Sequence, residues 1–163
     1  MELTIVADSH IPSRASRIPE SFRERIGAAD HVLHAGDFDS ERALEETREI
    51  APEITAVSGN MDPRLGLPSV ATVELGGVTF VLTHGTGSPQ GYEQRVASVA
   101  REHADVPDPV AVEGHTHELL DTTHDGVRVL NPGSVTGAPP ASRTTMLTAT
   151  VADGDLTVEA HER

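Results

Sequence analysis

The chain has 163 residues, with 26 acids against 12 bases and a formal net charge of −14. All 12 bases are arginine and there is no cysteine, which excludes disulfides, thiolate metal sites and a cysteine nucleophile. No apolar run approaches the ~18 residues of a membrane span, and the opening MELTIVADSH lacks the basic start and long apolar run of a secretory signal.

One domain over residues 1–163 is expected. Leu3–Ala7 reads as a buried strand ending at Asp8. Pro19–Ala28 follows as a helix, with proline at its start and Phe22 and Ile26 on one face. His31–His34 is a second strand, leading into Gly36-Asp37. Ser40 is a good N-cap for a helix that runs to Ile50, and Ile54–Ser58 is a third strand before Gly59-Asn60. Val70–Leu75 and Val78–Thr83 form a hairpin around Gly76-Gly77. Tyr92–His103 is a helix. Val110–Glu113 is a strand leading to Gly114-His115-Thr116-His117. Leu119–Thr122 and Val127–Leu130 pair around Asp125-Gly126, and Thr144–Val151 and Leu156–Ala160 flank Asp153-Gly154.

The first third reads βαβαβ, which implies parallel pairing, and the remainder is rich in hairpins, which implies antiparallel pairing. So many strands do not fit one flat sheet in so short a chain. The expected fold is α/β: two mixed sheets packed face to face with helices outside.

An acidic surface without lysine points to adaptation to molar salt, where the Debye length falls to about 3 Å and carboxylate repulsion is screened. A GC-rich genome explains the arginines but less well the acid excess. The charge argues against nucleic acid as a stable partner.

Five strands end in a residue able to bind a metal ion. They lead to Asp8 and His10, to Asp37, to Asn60, to His84, and to His115 and His117. Ligands in open α/β sheets gather beyond the carboxyl ends of strands, and Asp, Asn and His suit hard or borderline divalent cations. Taken singly, each is ordinary: Gly-Asp and Gly-Asn are common turns, and a buried histidine is often a satisfied core residue. His115 and His117 would face opposite ways on a strand, so both reach one site only if Gly114 allows a turn.

Asp8-Ser9-His10, Gly36-Asp37, Gly59-Asn60, His84 and Gly114-His115-Thr116-His117 together resemble the calcineurin-like metallophosphoesterase signature, in order, over residues 8–117. The short length, His34-Ala35-Gly36-Asp37 and Asn131-Pro132-Gly133-Ser134 resemble its small phosphodiesterase subfamily, which includes the retromer subunit of the same fold. The resemblance implies a four-layer αββα sandwich and two divalent ions, Mn2+ first, with Fe, Zn, Ni or Co open. It places one ion on Asp8, His10, Asp37 and His117, the other on Asp37, Asn60, His84 and His115, with Asp37 bridging. It gives catalytic duty to Asp37, Asn60 and His115. A metal-bridging hydroxide would attack a small or nucleotide-like phosphodiester. A phosphomonoesterase or nucleotide phosphatase and a non-catalytic metal-binding scaffold are the alternatives.

A cytoplasmic protein of a halophilic archaeon with a small phosphoester substrate and no membrane partner is expected, self-association being left open. Larger members of the superfamily place a proton-donating histidine after the motif asparagine. Here Met61 stands there, followed by Asp62, so the leaving group is protonated by water, by Asp62, or not at all. Arg14 and Arg17 are candidates to bind a substrate phosphate. His31, His34, His103, His124 and His161 receive no role.

Overall fold

A computed structural model describes residues 1–163. The first sheet contains β1 (Glu2–Val6), β2 (His31–His34), β3 (Ile54–Ala56), β9 (Thr145–Ala152) and β10 (Asp155–Glu162), in the order β10-β9-β1-β2-β3. The second contains β4 (Val70–Leu75), β5 (Val78–Thr83), β6 (Val110–Val112), β7 (Leu119–His124) and β8 (Val127–Pro132), in the order β4-β5-β6-β8-β7. Both sheets are mixed. β1, β2 and β3 are parallel, as are β5, β6 and β8, while hairpin strands pair antiparallel at the edges.

Between the sheets lies a core built from Leu3, Ile5 and Leu33 on one side and Phe80, Leu82, Val112 and Leu130 on the other, every one buried. Helices α1 (Glu20–Ala28) and α2 (Glu41–Ile50) cover the outer face of the first sheet through Phe22, Ile26 and Leu44. Helix α3 (Tyr92–His103) covers the second through Tyr92, Val96 and Ala100. The two mixed sheets expected from the strand pattern form, and with the helices they make the four-layer αββα sandwich. No helix is long and apolar enough to cross a membrane.

Local chemistry sets most boundaries. The Ser40 side chain accepts the Ala43 N–H at 3.1 Å, satisfying a donor that the first turn of α2 leaves free. Gly76-Gly77, Asp125-Gly126 and Asp153-Gly154 all take positive φ at both positions, the geometry of tight hairpin turns that match strand twist. β3 stops at Ala56 and β6 at Val112, earlier than the residue pattern suggests, because the chain there leaves the sheet to form the turns of the site.

Candidate metal centre

Parallel strands in both sheets deliver their carboxyl ends to one edge of the sandwich. Asp8 and His10 follow β1, Asp37 follows β2, Asn60 follows β3, His84 follows β5, and His115 and His117 follow β6. The turns are tied to one another. The N–H of Asp8 donates to Gly36 O at 3.0 Å and that of His10 to Asp37 O at 3.1 Å. The N–H of His115 donates to Asp8 Oδ2 at 3.0 Å, joining the two sheets across the site.

The backbone here is unusual. Asp8, His10, Asp37, Asp39, His115 and His117 all have positive φ, a region that side-chain-bearing residues rarely occupy. Such conformations persist where the surroundings over-determine them, and they gather at functional sites. They also answer how His115 and His117 reach one place: the chain turns at both (φ 73° and 60°) instead of running extended. Gly36 and Gly59 are needed for close approach. A Cβ on Gly59 would fall 2.1 Å from Asp37 Oδ1, and one on Gly36 would fall 2.8 Å from Gly59 N.

Two ligand triads result, Asp8–His10–His117 and Asp8–Asp37–His84, all buried. Asp8 Oδ1 lies 3.6, 3.4 and 3.8 Å from the Nε2 atoms of His10, His117 and His84. Asp37 Oδ2 lies 3.0 Å from His84 Nε2 and 3.5 Å from His10 Nε2. Both carboxylates therefore face more than one imidazole, where the family resemblance implies a shared role for Asp37 alone. Asn60 and His115 stand at the rim outside the triads. They touch one another, with His115 Nδ1 3.1 Å from Asn60 Oδ1.

The protonation pattern of the imidazoles suits a cation. His10 Nδ1 faces Asp39 Oδ1 at 2.8 Å, His84 Nδ1 faces Ala35 O at 2.7 Å, and His117 Nδ1 faces Ala138 O at 2.8 Å. Each of these oxygens only accepts, so each ring carries its hydrogen on Nδ1 and presents a bare Nε2 lone pair inward. His84 Nε2 and Asp8 Oδ1 are buried without a hydrogen-bond partner. Outer acceptors that fix the tautomer and aim the ring are what metal-ligating histidines use. Divalent cations fit this donor set.

Electrostatics agree. Burial alone would raise the Asp8 carboxyl, but His10, His117 and His84 outweigh it and hold Asp8 far below the usual carboxylate range. Burial would lower His10 and His84, yet Asp8 and Asp37, with Asp39 for His10, hold both above the ordinary histidine value. His115 goes the other way: burial and the nearby His84 pull it down.

Several residues outside the ligand set support it. His34 is fully buried between two ligand turns. Its Nδ1 accepts the Gly36 N–H at 3.1 Å, its Nε2 meets Ser9 Oγ at 3.0 Å, and its ring stacks on Phe38 at 3.7 Å. Burial brings it down to about 3, so it stays neutral. Asn131 Nδ2 reaches Gly114 O at 3.1 Å and Thr116 Oγ1 at 3.0 Å, and Ser134 Oγ donates to Asp8 O at 2.7 Å. The Asn131–Ser134 stretch thus holds the turns that carry Asp8, His115 and His117. Asp39, unmarked by any motif, is the residue that orients His10. Arg17 pairs with Glu20 at 3.0 Å on the surface, and Arg14 donates to Pro139 O at 2.8 Å.

Residues 1–154 match the family model described as the calcineurin-like phosphoesterase superfamily domain. The chain belongs to the calcineurin-like phosphoesterase superfamily. Among superfamily relatives, a protein of Methanothermobacter thermautotrophicus named "Probable metallophosphoesterase" is 34% identical over 138 residues, 83% of this chain and 78% of that one. A single-mutant Vps29 of Entamoeba histolytica has a similar solved structure, with TM-score 0.81, 26% identity and coverage of 100% and 99% of the two chains. The wild-type Vps29 of that organism, solved in complex with Zn2+, gives TM-score 0.67 at 26% identity over 99% of both chains. This calcineurin-like phosphoesterase thus shares its whole fold with proteins of which one is known to hold a divalent cation.

Proposed function

We propose that this chain is a dinuclear, metal-dependent phosphodiesterase acting on a small or nucleotide-like diester. The observation that carries this reading is the convergence of three bare imidazole nitrogens, on His10, His84 and His117, upon oxygens of Asp8 and Asp37. Divalent ions there would acidify water and offset phosphoryl charge. Manganese is our choice, with Fe, Zn, Ni and Co as the other borderline candidates.

The chain's own residues set the rest. Asp8, His10, Asp37 and His117 would hold the first ion, and Asp37, Asn60, His84 and His115 the second. Asn60 is exposed at the rim and His115 is half-buried beside it, so both meet the substrate phosphoryl group as it enters. Held below the ordinary histidine value, His115 stays neutral at pH 7 and serves as a ligand more than as a proton donor. Met61 is 46% exposed where a donor histidine would stand. A leaving group without proton assistance must be a good one.

Two clefts border the ligand cluster. One of about 300 Å³ opens beside His117 and is lined by Ser142 and Arg143. Another of about 260 Å³ opens beside His84 and is lined by Thr86 and Arg95. A diester has an arm for each. A larger cleft of about 410 Å³, between Pro89 and His124, contains none of the ligands.

The test compares bis(nitrophenyl) phosphate with nitrophenyl phosphate, with and without Mn2+. Diester hydrolysis that needs metal and exceeds monoester hydrolysis is expected. Faster monoester hydrolysis would overturn the diester assignment. Likeness to Vps29 over the full chain favours one second reading, a metal-binding scaffold, and metal binding without turnover of either ester would establish it.

A further inference from the structure

Asp62 lies two residues past Asn60, close enough in sequence to be the missing acid. Its surroundings assign it another task. Asp62 Oδ2 accepts the N–H groups of Asp37 at 2.9 Å and Gly59 at 2.8 Å, and Oδ1 accepts the N–H of Asp39 at 2.8 Å. These donors come from two different turns, one following β2 and one following β3. Three N–H donors on one carboxyl favour its ionised, accepting form over an acid that would donate. The carboxyl is thus oriented to receive hydrogen bonds from both turns.

We infer that Asp62 is a positioning residue for the metal centre, a bracket that locks the Asp37–Asp39 turn against the Gly59–Asn60 turn, and does not protonate the leaving group. The inference rests on the metal-centre reading above. What the bracket holds explains its reach. Asp37 and Asp39 both have positive φ (63° and 78°), a backbone that needs outside restraint. Asp62 spans this turn, with Oδ2 on the Asp37 N–H and Oδ1 on the Asp39 N–H.

Two consequences run outward from the locked turn. The Met61 N–H donates to Asp37 Oδ1 at 2.9 Å, which leaves Asp37 Oδ2 facing His84 and His10. Asp39 Oδ1, on the same turn, accepts from His10 Nδ1 at 2.8 Å. One carboxylate therefore sets the direction of the Asp37 metal-facing oxygen and, through Asp39, the orientation of the His10 ring. Loosening it disturbs a ligand in each triad at once.

The experiment uses the full chain with Asp62→Ala and Asp62→Asn, each checked for folding by its thermal melt. Mn2+ alone is titrated calorimetrically at a temperature well below the melt. Rates at saturating Mn2+ are then taken over aryl diesters of graded leaving-group pKa. Outer partners of metal ligands typically matter by about 10–100-fold in affinity. Asp62→Ala should weaken Mn2+ binding by about that much. Asp62→Asn, which keeps one accepting oxygen, should fall between it and the wild type.

At saturating metal the dependence on leaving-group pKa should match the wild type. A folded variant that binds Mn2+ as tightly as the wild type overturns the bracket, whatever its melting temperature. A steeper leaving-group dependence with unchanged Mn2+ affinity restores Asp62 as the acid. If Asp62→Ala does not fold, Asp62→Asn carries the same comparison. If the wild type hydrolyses no diester, the function proposal fails while the Mn2+ titration still tests the bracket.

Discussion

His10 and His117 meet Nε2 to Nε2 at 3.1 Å. Each ring has already spent its N–H, His10 on Asp39 and His117 on the Ala138 carbonyl. Two lone pairs at that distance repel, and either a proton or a metal ion relieves them. Asp8 Oδ1, within 3.6 Å of both rings, supplies the negative charge that stabilises either one.

Protons and metal ions should therefore compete. His10 and His84 are held above the ordinary histidine value of 6.5, so both bind protons more readily near neutrality than free histidine does. Metal binding must displace those protons. Mn2+ affinity should rise as pH increases from 6 to 8, with protons released on binding. Calorimetry in buffers of different ionisation enthalpy measures both quantities. An affinity independent of pH with no proton release would contradict this.

Glu113 gives a separate pH prediction. It is fully buried one residue past β6, neither side-chain oxygen has a hydrogen-bond partner, and burial pushes its carboxyl up to about 9. Its folded pKa lies above its unfolded value of 4.5. The folded state therefore keeps a proton that the unfolded chain releases. Stability from this group is complete below about 4.5 and is lost as pH rises toward 9, by at most about 1.4 kcal/mol per pH unit. Glu113→Gln should flatten the fall in melting temperature between pH 6 and 9. A variant as pH-sensitive as the wild type would show that another group is responsible.

These cases mark what the sequence reveals and what it withholds. The ligand types and the strand ends that carry them are local features, so Asp8, His10, Asp37, Asn60, His84, His115 and His117 stand out from the residue pattern alone. Hairpins were legible because Gly-Gly and Asp-Gly demand positive φ. Asp39, His34 and Glu113 were not. Their importance comes from partners 25 or more residues away, as in the His34–Ser9 contact, or from burial, as for Glu113. Nothing about spacing distinguishes Asp62 as a bracket from Asp62 as an acid. Only the positions of three backbone N–H groups do that.

Salt should stabilise the fold. A net charge of −14 with no lysine leaves carboxylate repulsion largely uncompensated at low ionic strength, and molar salt screens it. The melting temperature should climb with KCl from the millimolar to the molar range. A flat or falling curve would contradict salt adaptation and leave the metal centre untouched.

Met61 governs the choice of leaving group. Proton assistance typically contributes about 10²–10⁴-fold, and methionine supplies none. Across a diester series with chemistry rate-limiting, rates should fall steeply as leaving-group pKa rises. Met61→His should help alkyl leaving groups more than nitrophenyl ones where the new ring reaches the leaving oxygen. A flat wild-type series would reveal a proton donor elsewhere.

Metal content tests the central claim most directly. Wild-type protein saturated with Mn2+, freed of excess ion and analysed for manganese and protein, should contain two ions per chain. Asp37→Asn should lose both together, because Asp37 Oδ2 faces imidazoles of both triads. One ion or none per wild-type chain at saturation would contradict a dinuclear centre.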